Sequence, residues 1–500
     1  MRITNKMMTN NSMYNINNNK NLLNTLESQY STGKKITRPS DDPIVAVRAL
    51  KFRTNLTEVQ QYTGKNIPDA LNWMEVTESS LETINEIIRS MNTYCNHAAN
   101  DYLTATDRND IVENLKQYAK QIYQEGNTNY AGRYVFSGYK TNKSLVFDAD
   151  QNNVSYAITE PLKSENLQQV SVIRDSVDLK TLDINDTAST GGAWGGFSTA
   201  MPTTMDIYRI TVAYDELDDS VEPTFSFTDE FGNTVTPPIT KHLSTDPGAY
   251  ETVDDDSINF LTDTGEVILG KNVYVALKNA QDITASYTKR QFSQNDLRPE
   301  HYFDCVATEL DTGKSISYTK EDQDINYEVN FKQVITINTQ GSDAFSTNID
   351  RMVTEIVNAV QDVIDVESRM AEVTKMQNDS NMNKEQLDKL KLVMEQLESE
   401  YTLRTSIMTG AFQRGLSITQ KEQDNMNVCV ADLGGRYKRL LLTQDRLESQ
   451  ETDFTELLSS NEDADLADTI IKYTSANNVY NASLNAAAKL VQTSLLDYLR

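Results

Sequence analysis

Apolar and small residues recur along much of this chain at alternating steps of four and three, the spacing that lines one seam of packed helices. The longest run is Ala70, Met74, Thr77, Leu81, Ile84, Ile88, Met91, Cys95 and Ala98, with one threonine as its only polar member. Val45, Ala49, Phe52, Leu56 and Val59 keep the same spacing just upstream, and Pro68 between the two runs predicts a kink or a fresh helix start. Asp107 is placed to cap a further helix carrying Ile111, Leu115, Tyr118 and Ile122, which Gly126 would end. From about Arg133 to residue 345 the period falls to two. Segments such as VSYAI, IYRITVAY, TFSFTDEFGNTV and NVYVAL alternate, are rich in β-branched and aromatic residues, and are separated by Gly, Pro, Asp and Asn turns, with a flexible TGGAWGGF loop at 190–197.

Helical spacing resumes at Ile349, Val353, Ile356, Val360 and Val363, breaks at NDSNMN (378–383), and continues through Leu387, Leu390, Met394, Leu397 and Tyr401. It returns as Met426, Val430, Leu433, Tyr437, Leu440, Gln444 and Leu447, and again as Leu466, Ile470, Tyr473, Asn477, Tyr480, Leu484, Ala487 and Val491. The pattern predicts an α+β protein with helices at both ends and one β block inserted between them. Neither amphipathic half can bury its seam alone, so the halves must meet in space. The first thirty residues are asparagine-rich and carry few apolar positions, Ile3, Met7, Ile16, Leu23, Leu26 and Tyr30 among them. An isolated helix there would be weak, so both extreme ends are expected to order on assembly.

Two interruptions stand out. In GKKITRPSDDP (33–43), Gly33 is placed to end the first helix, Lys34 and Lys35 lie at its negative end, Pro39 pushes Arg38 out of helical geometry, and Asp42 with Pro43 reads as an N-cap and first helical position. In SSNEDAD (459–465), Ser460 and Asp463 have capping-box spacing before the last seam. On local pattern the first interruption reads equally as an ordinary interhelix loop or as a joint between a terminal coil and the rest of the helical region, and the two breaks are candidates to lie side by side.

Composition narrows the function. With 73 acidic against 46 basic residues, the net charge of −27 repels nucleic acid. No apolar run is long enough to cross a membrane, and the first residues lack the apolar core of a secretory signal. Cys95, Cys305 and Cys429, like His97, His242 and His301, are scattered without ligand spacing, so neither a disulfide framework nor a metal site nor a cofactor is implied. HExxH is absent, GFSTA (196–200) fails GxSxG at its last position, and TGKS (312–315) lacks the upstream glycine of a phosphate loop and reads as a hairpin turn. DADQNN (148–153) opens like a calcium loop but has Asn153 at position six and Thr159 at position twelve, so a strand-connecting turn is expected. DDDS (254–257) reads as a solvated loop, and Cys95 and Cys429 read as small hydrophobes on or beside seams. No catalytic constellation is assembled.

Three separated stretches resemble one family. These are MRITNKMM with STGKKITRPSDDPIVAVRAL, GRYVFSGYKTNKSLVF (132–147), and the carboxyl-terminal LGGRYKRLLLTQDRLESQETDFTELLSSNEDADLADTIIKYTSANNVYNASLNAAAKLVQTSLLDYLR. They are similar to the flagellar hook-filament junction (hook-associated) proteins of the FlgL type, in the flagellin superfamily. The resemblance implies an elongated rod of long antiparallel helices built from both chain ends, carrying a large all-β outer domain. It divides the chain into terminal coiled-coil segments 1–33 with 470–500, a helical rod 40–132 with 346–469, and a β insert 133–345. It implies a non-enzymatic structural adaptor of the extracellular flagellum, exported without a cleaved signal through the flagellar type III apparatus. The implied partners are a hook-side junction protein, flagellin, further copies of the chain in a ring, and a cytosolic export chaperone, with no nucleic acid and no membrane. Ile16, Leu23, Leu26, Tyr30, Tyr480, Leu484, Val491, Leu495 and Tyr498 would form the assembly seam, and Gly33, Pro39, Asp42 and Pro43 the joint. The flagellin filament subunit is the alternative within the class, although PSDDP stands where flagellins carry an alanine-rich stretch. An adhesin or enzyme displayed by the β insert is the alternative outside it, with Trp194 as a sugar-stacking candidate.

Overall fold

The computed structural model describes residues 5–100, 104–184, 189–190, 193–194, 197–379 and 382–496. Helices α1 (Asn5–Thr32), α2 (Pro43–Gln61), α3 (Ile67–Asn100) and α4 (Ala105–Glu125) come first, and α5 (Asn348–Gln377), α6 (Lys384–Glu462) and α7 (Leu466–Leu496) come last. The strands of the two larger sheets all lie between α4 and α5. The chain divides into two compact units. One comprises Met1–Leu71, Tyr327–Ile335 and Lys438–Arg500, and the other Asn72–Asn326 and Thr336–Tyr437.

In the first unit α1 packs on α7. The covered positions of α1 are Ser12, Ile16, Asn19, Leu23 and Leu26, and those of α7 are Thr469, Tyr473, Ala476, Tyr480, Ser483 and Ala487, each set spaced four and three. Asn19 Nδ2 donates to Ser483 Oγ (3.3 Å), whereas Gly33 meets Ala464, so the partner number falls as α1 advances and the pair is antiparallel. The expected α7 stripe thus turns by one residue at every second position. Thr469, Ala476 and Ser483 face α1 in place of Ile470, Asn477 and Leu484, because small side chains permit close approach. Ile470 and Leu484 remain 46% and 41% exposed.

Pro68 does not start a new helix. Tyr62–Asn66 form one π turn between α2 and α3, in which Ile67 N–H reaches back five residues to Tyr62 O. This wider turn carries the chain into α3 without a break at the proline, whose missing N–H would interrupt a regular ladder. The hairpin Asn326–Asn330 with Gln333–Thr336 lies against it, with Asn66 Nδ2 donating to Glu328 O (2.8 Å) and Tyr62 buried.

In the second unit the α3 seam is dry: every predicted position from Met74 to Ala98 is buried, and Thr77 returns its hydroxyl proton to Trp73 O (2.8 Å). Helix α4 begins one turn earlier than expected. Thr104 is its N-cap and Asp107 is the third helical residue, the two closing a reciprocal capping box. α4 runs antiparallel to α5, with Arg108 paired to Glu367 at one end and Tyr123 bonded to Ser346 O and Asp350 N at the other. NDSNMN separates α5 from α6, whose 79 residues run through the remaining seams as one helix.

Two larger sheets form the β region. Strands β1 (Val154–Leu162), β2 (Gln168–Arg174), β3 (Thr203–Thr211), β4 (Thr224–Thr228), β5 (Thr234–Val235), β6 (Ile239–His242), β7 (Ile258–Leu261), β8 (Glu266–Leu269), β9 (Gln281–Lys289), β10 (Asp304–Glu309) and β11 (Ser315–Tyr318) contribute. One sheet has the order β5-β4-β9-β1-β10-β11 and is antiparallel throughout, and the other has the order β6-β7-β8-β3-β2 with β6 and β7 parallel. Alternation puts Tyr156, Ile158, Glu160 and Leu162 of β1 on a buried face, as it does Ile283, Ala285, Tyr287 and Lys289 of β9. Two charged groups therefore sit in core rows. TGGAWGGF is not wholly a loop: Ser189–Thr190, Ala193–Trp194 and Phe197–Ser198 pair as short antiparallel strands, and the Trp194 side chain lies outside the described residues. NVYVAL, expected to be extended, is instead part of a short helix, Lys271–Leu277, which buries Val273 and Leu277, four residues apart, and leaves Val275 exposed.

Candidate functional site

The two sequence breaks meet. α1 ends at Thr32, and Gly33 takes φ +70°, donating its N–H to Gln29 O (2.9 Å). A residue with a Cβ is strained in that left-handed conformation, so glycine is what allows the chain to leave the helix there. The next residue, Lys34, forms an antiparallel bridge with Asp463. Lys35 N–H donates to Glu462 O (2.7 Å), and Ala464 N–H donates to Gly33 O (2.8 Å). The chain thus forms a minimal two-residue ladder at the point where both helices stop.

Side chains reinforce this ladder. The Lys34 ammonium contacts the Asp463 carboxylate and lies 3.6 Å from Glu462. Its hydrogen bond to Asp463 raises the Lys34 pKa, and the same bond lowers that of Asp463. Glu462, almost wholly buried, also pairs with Arg53 of α2. Asn461 Nδ2 donates to Val45 O (3.0 Å), so α2 is tied to the end of α6 as well. Among the contacts of this joint, the ones that close it are backbone to backbone.

Between α1 and α2 the loop is organised by its aspartates. Asp41 N–H donates to Arg38 O (3.0 Å), closing a turn with Pro39 at its second position. Asp41 Oδ2 accepts the N–H of Arg38 (2.9 Å) and of Thr37 (3.2 Å), and these backbone bonds hold its carboxyl below the usual range. Asp42 Oδ1 accepts from Ile44 (3.0 Å) and Val45 (3.2 Å), and Pro43 is the first residue of α2. Gly33, Pro39, Asp42 and Pro43 each occupy one defined position of this connection. The second break has a different cap from the expected one. Asp465 caps α7 by accepting from Ala467 (2.9 Å) and Asp468 (3.1 Å), while Ser460 stays inside α6 with its hydroxyl on Leu457 O. Asp463 is taken up by Lys34 and Ser459 instead. Local spacing cannot distinguish a cap from a partner 429 residues away.

Of the seam residues, Ile16 and Leu26 are buried against α7, Leu23 and Tyr480 are half-buried, and Tyr30 and Leu484 stand outside the pair. Val491 and Leu495 fall within α7, but their side chains, like all of Tyr498, lie outside the described residues.

The remaining chemical candidates resolve into structure. Asp148 accepts from Asn127 and Ser144, and Asp150 accepts from Gln294 N–H (2.9 Å), so DADQNN is a turn pinned by protein donors. TGKS turns the β10–β11 hairpin. Asp254 closes DDDS on itself through Asp256 and Ser257. Burial pushes the Cys95 and Cys305 thiols up to about 12 and that of Cys429 to about 11, so none has thiolate character. No group of three or more His, Cys, Asp or Glu able to hold a metal occurs among the described residues, and no helix there is long and apolar enough to cross a membrane.

The helical region of bacterial flagellin amino termini matches residues 3–141. Flagellar hook-associated protein 3 of Salmonella typhimurium is 33% identical over 149 residues, covering 30% of this chain and 46% of that protein. Flagellin of Clostridium tyrobutyricum is 28% identical over 199 residues, 39% of this chain and 51% of that one. The chain therefore spans about half the length of the curated relatives it matches. A putative flagellar hook-associated protein from Vibrio parahaemolyticus aligns in structure over 85% of this chain and 100% of its own, at 11% identity and a TM-score of 0.35. Residues 3–141 are thus similar to the amino-terminal helical region of flagellins, and they stand ahead of a β region flanked by terminal helices that pair. Over part of its length the chain is also similar to proteins of the hook-associated protein 3, or FlgL, type.

Proposed function

We propose that this protein is a non-enzymatic structural adaptor at the junction of flagellar hook and filament, joining the hook-side junction protein to flagellin in a ring of copies. The observation that carries this reading is the 33% identity over 149 residues with hook-associated protein 3. Export unfolded through the flagellar type III apparatus, with a cytosolic chaperone on the carboxyl-terminal helix, belongs to the same reading, as does an extracellular location. The outward apolar residues of the paired terminal helices, Met13, Tyr14, Leu22 and Tyr30 on α1 and Ile470, Ile471 and Leu484 on α7, suit contacts with neighbouring subunits. On this reading segments 1–33 and 470–500 are the assembling coil, 40–132 with 346–469 the helical rod, and 133–345 the outer β domain.

Immunogold labelling of isolated flagella tests the location, with a single spot at the hook-filament boundary expected. The similarity to a flagellin favours one alternative, the filament subunit. Label along the whole filament would establish it and refute the adaptor. Deleting 475–500 is expected to leave the helical rod and the β region folded and abolish incorporation, and a truncated chain that still assembles would remove the role given to the coil. Slow amide exchange across residues 1–30 in the monomer would show that these segments order before assembly rather than during it.

A further inference from the structure

In the second unit Tyr208 of β3 and Tyr274 of the short helix Lys271–Leu277 lie ring on ring, with centroids 3.9 Å apart and planes 12° from parallel. That helix packs on β3 with Val273 and Leu277 buried, and Tyr274, next to Val273, is carried onto the strand. Two aromatic rings seldom meet so nearly face to face, because their negative faces repel and edge-on or offset contacts are preferred. Phe136–Phe345, Phe147–Tyr156 and Tyr214–Phe292 are edge-on, with centroids 4.9, 6.2 and 5.6 Å apart. With Tyr208 on one face of Tyr274, the Lys278 ammonium lies over the other, 4.5 Å from the ring centroid. A cation there draws electron density outward and eases the repulsion on the Tyr208 side.

Such a stack holds carbons of the two rings in van der Waals contact, at about 3.5–4 Å. Each phenol has two equivalent carbons ortho to its hydroxyl. Both side chains are half-buried, and neither hydroxyl is hydrogen-bonded among the described residues, so each can release its proton to water. Lys278 and Tyr208 cover the two faces of Tyr274 between them, which leaves Tyr208 as the aromatic partner in contact with that ring. The Tyr94–Tyr118 pair lacks this arrangement, with centroids 5.9 Å apart and planes 44° from parallel.

We propose that Tyr208 and Tyr274 form an oxidative cross-linking site, joined by hydrogen peroxide acting through a one-electron oxidant into a dityrosine that staples β3 to the 271–277 helix. Each phenol gives up one electron and one proton and becomes a phenoxyl radical. The radicals couple through one ortho carbon each, forming a carbon–carbon bond, and the two ortho hydrogens then move to the phenolic oxygens and restore both hydroxyls. The two electrons and two protons released convert one hydrogen peroxide into two waters. Radicals already held in contact couple faster than radicals on separate chains can meet. A covalent link between residues this far apart in sequence restricts the unfolded chain as a disulfide does, and the three cysteines of this chain are all free.

Treating the dilute full chain with hydrogen peroxide and a haem peroxidase, followed by peptide mass spectrometry, tests this. The expected product is a monomer two hydrogens lighter, in which the peptide holding Tyr208 is joined to the peptide holding Tyr274. Tyr208→Phe and Tyr274→Phe each keep a ring in the stack and remove one hydroxyl, and each is expected to lower the yield of dityrosine within the monomer by about tenfold. Tyr94→Phe is expected to leave that yield unchanged. Thermal melting shows that each variant is folded, and either of the first two suffices. Absence of dityrosine, dityrosine formed mainly between chains or at other tyrosines, or an unchanged yield in a folded Tyr208→Phe or Tyr274→Phe chain would each overturn the proposal.

Discussion

Lys34 and Asp463, 429 residues apart in sequence, form an antiparallel bridge and an ion pair where α1 and α6 end. Both side chains are 41% exposed, so solvent screens their attraction, and the backbone bonds flanking them carry more of the joint.

Lys34→Ala should therefore cost less than about 1 kcal/mol, and Gly33→Ala about 1–2 kcal/mol, because a Cβ at φ +70° is strained even though nothing lies within 4 Å of it. Amide exchange at Lys35 and Ala464 reads this locally. A larger effect from Lys34→Ala than from Gly33→Ala would show that charge, not backbone geometry, holds the joint.

Stability should rise on mild acidification. Burial pushes Glu160 up to about 7, against 4.5 when exposed, and its bonds from Tyr287 and Ala213 N–H only partly oppose this. Between those values the folded chain holds a proton that the unfolded chain releases, so stability is gained as pH falls from above 7 towards 4.5. Asp296 adds to the gain below about 6, whereas His301, which burial holds down at about 4, subtracts from it, because the unfolded imidazole takes up a proton that the folded one does not. Urea denaturation at pH 8 and pH 5.5 should differ by on the order of 2–3 kcal/mol from Glu160, and Glu160→Gln should flatten the difference. Below about pH 4 the trend reverses, since Glu355, Glu400 and Asp463, whose values are lowered, must take up protons.

Glu355 of α5 joins Arg209 of β3 and Arg414 of α6. Burial alone would raise its pKa, but the two guanidinium groups hold it below the usual range. Glu355→Ala leaves two enclosed cations short of a partner and should destabilise the second unit by about 3–5 kcal/mol. Chemical denaturation of that variant beside Glu355→Gln checks the size, and a cost under about 1 kcal/mol would mean that water already screens the cluster.

Gly415 marks a close approach of three helices. A Cβ there would lie 2.9 Å from Ile356 Cδ1 and 3.3 Å from Cys95 Sγ. Gly415→Val should cost about 1–3 kcal/mol by overpacking. Gly415→Ala should be milder, because better helix propensity offsets a small shift of the flexible Ile356 end. Thermal melting of the two variants separates these effects.

Much of the helical architecture was legible because burial of one face imposes a period that any chain must display. The 74–98 seam, the change of period near residue 133 and the 378–383 break are of this kind. Local backbone chemistry was legible at Gly33, Pro39, Asp42 and Pro43, whose side chains or dihedrals end one helix, turn the chain and start the next within a few residues. It failed at Ser460 and Asp463, where the right spacing for a cap was diverted by Lys34. Asp107 was one turn out because a capping box has two ends and the pattern identified the wrong one. The buried Glu160 and Lys289 carried no signal, since an isolated charge in an alternating strand reads as a solvent-facing position.

By itself the sequence determined most of the helical and extended segments and several of the turns, because periodicity and left-handed or capped positions are properties of neighbouring residues, but it misread NVYVAL, a run too short for its period to tell helix from strand, which is helical. Tertiary structure alone decided that α7 turns Thr469, Ala476 and Ser483 towards α1, that Asp463 serves Lys34 rather than a cap, and that Tyr208 and Tyr274 lie ring on ring. A period fixes the width of a face, but the partner that covers it is set by packing and hydrogen bonds between residues hundreds of positions apart.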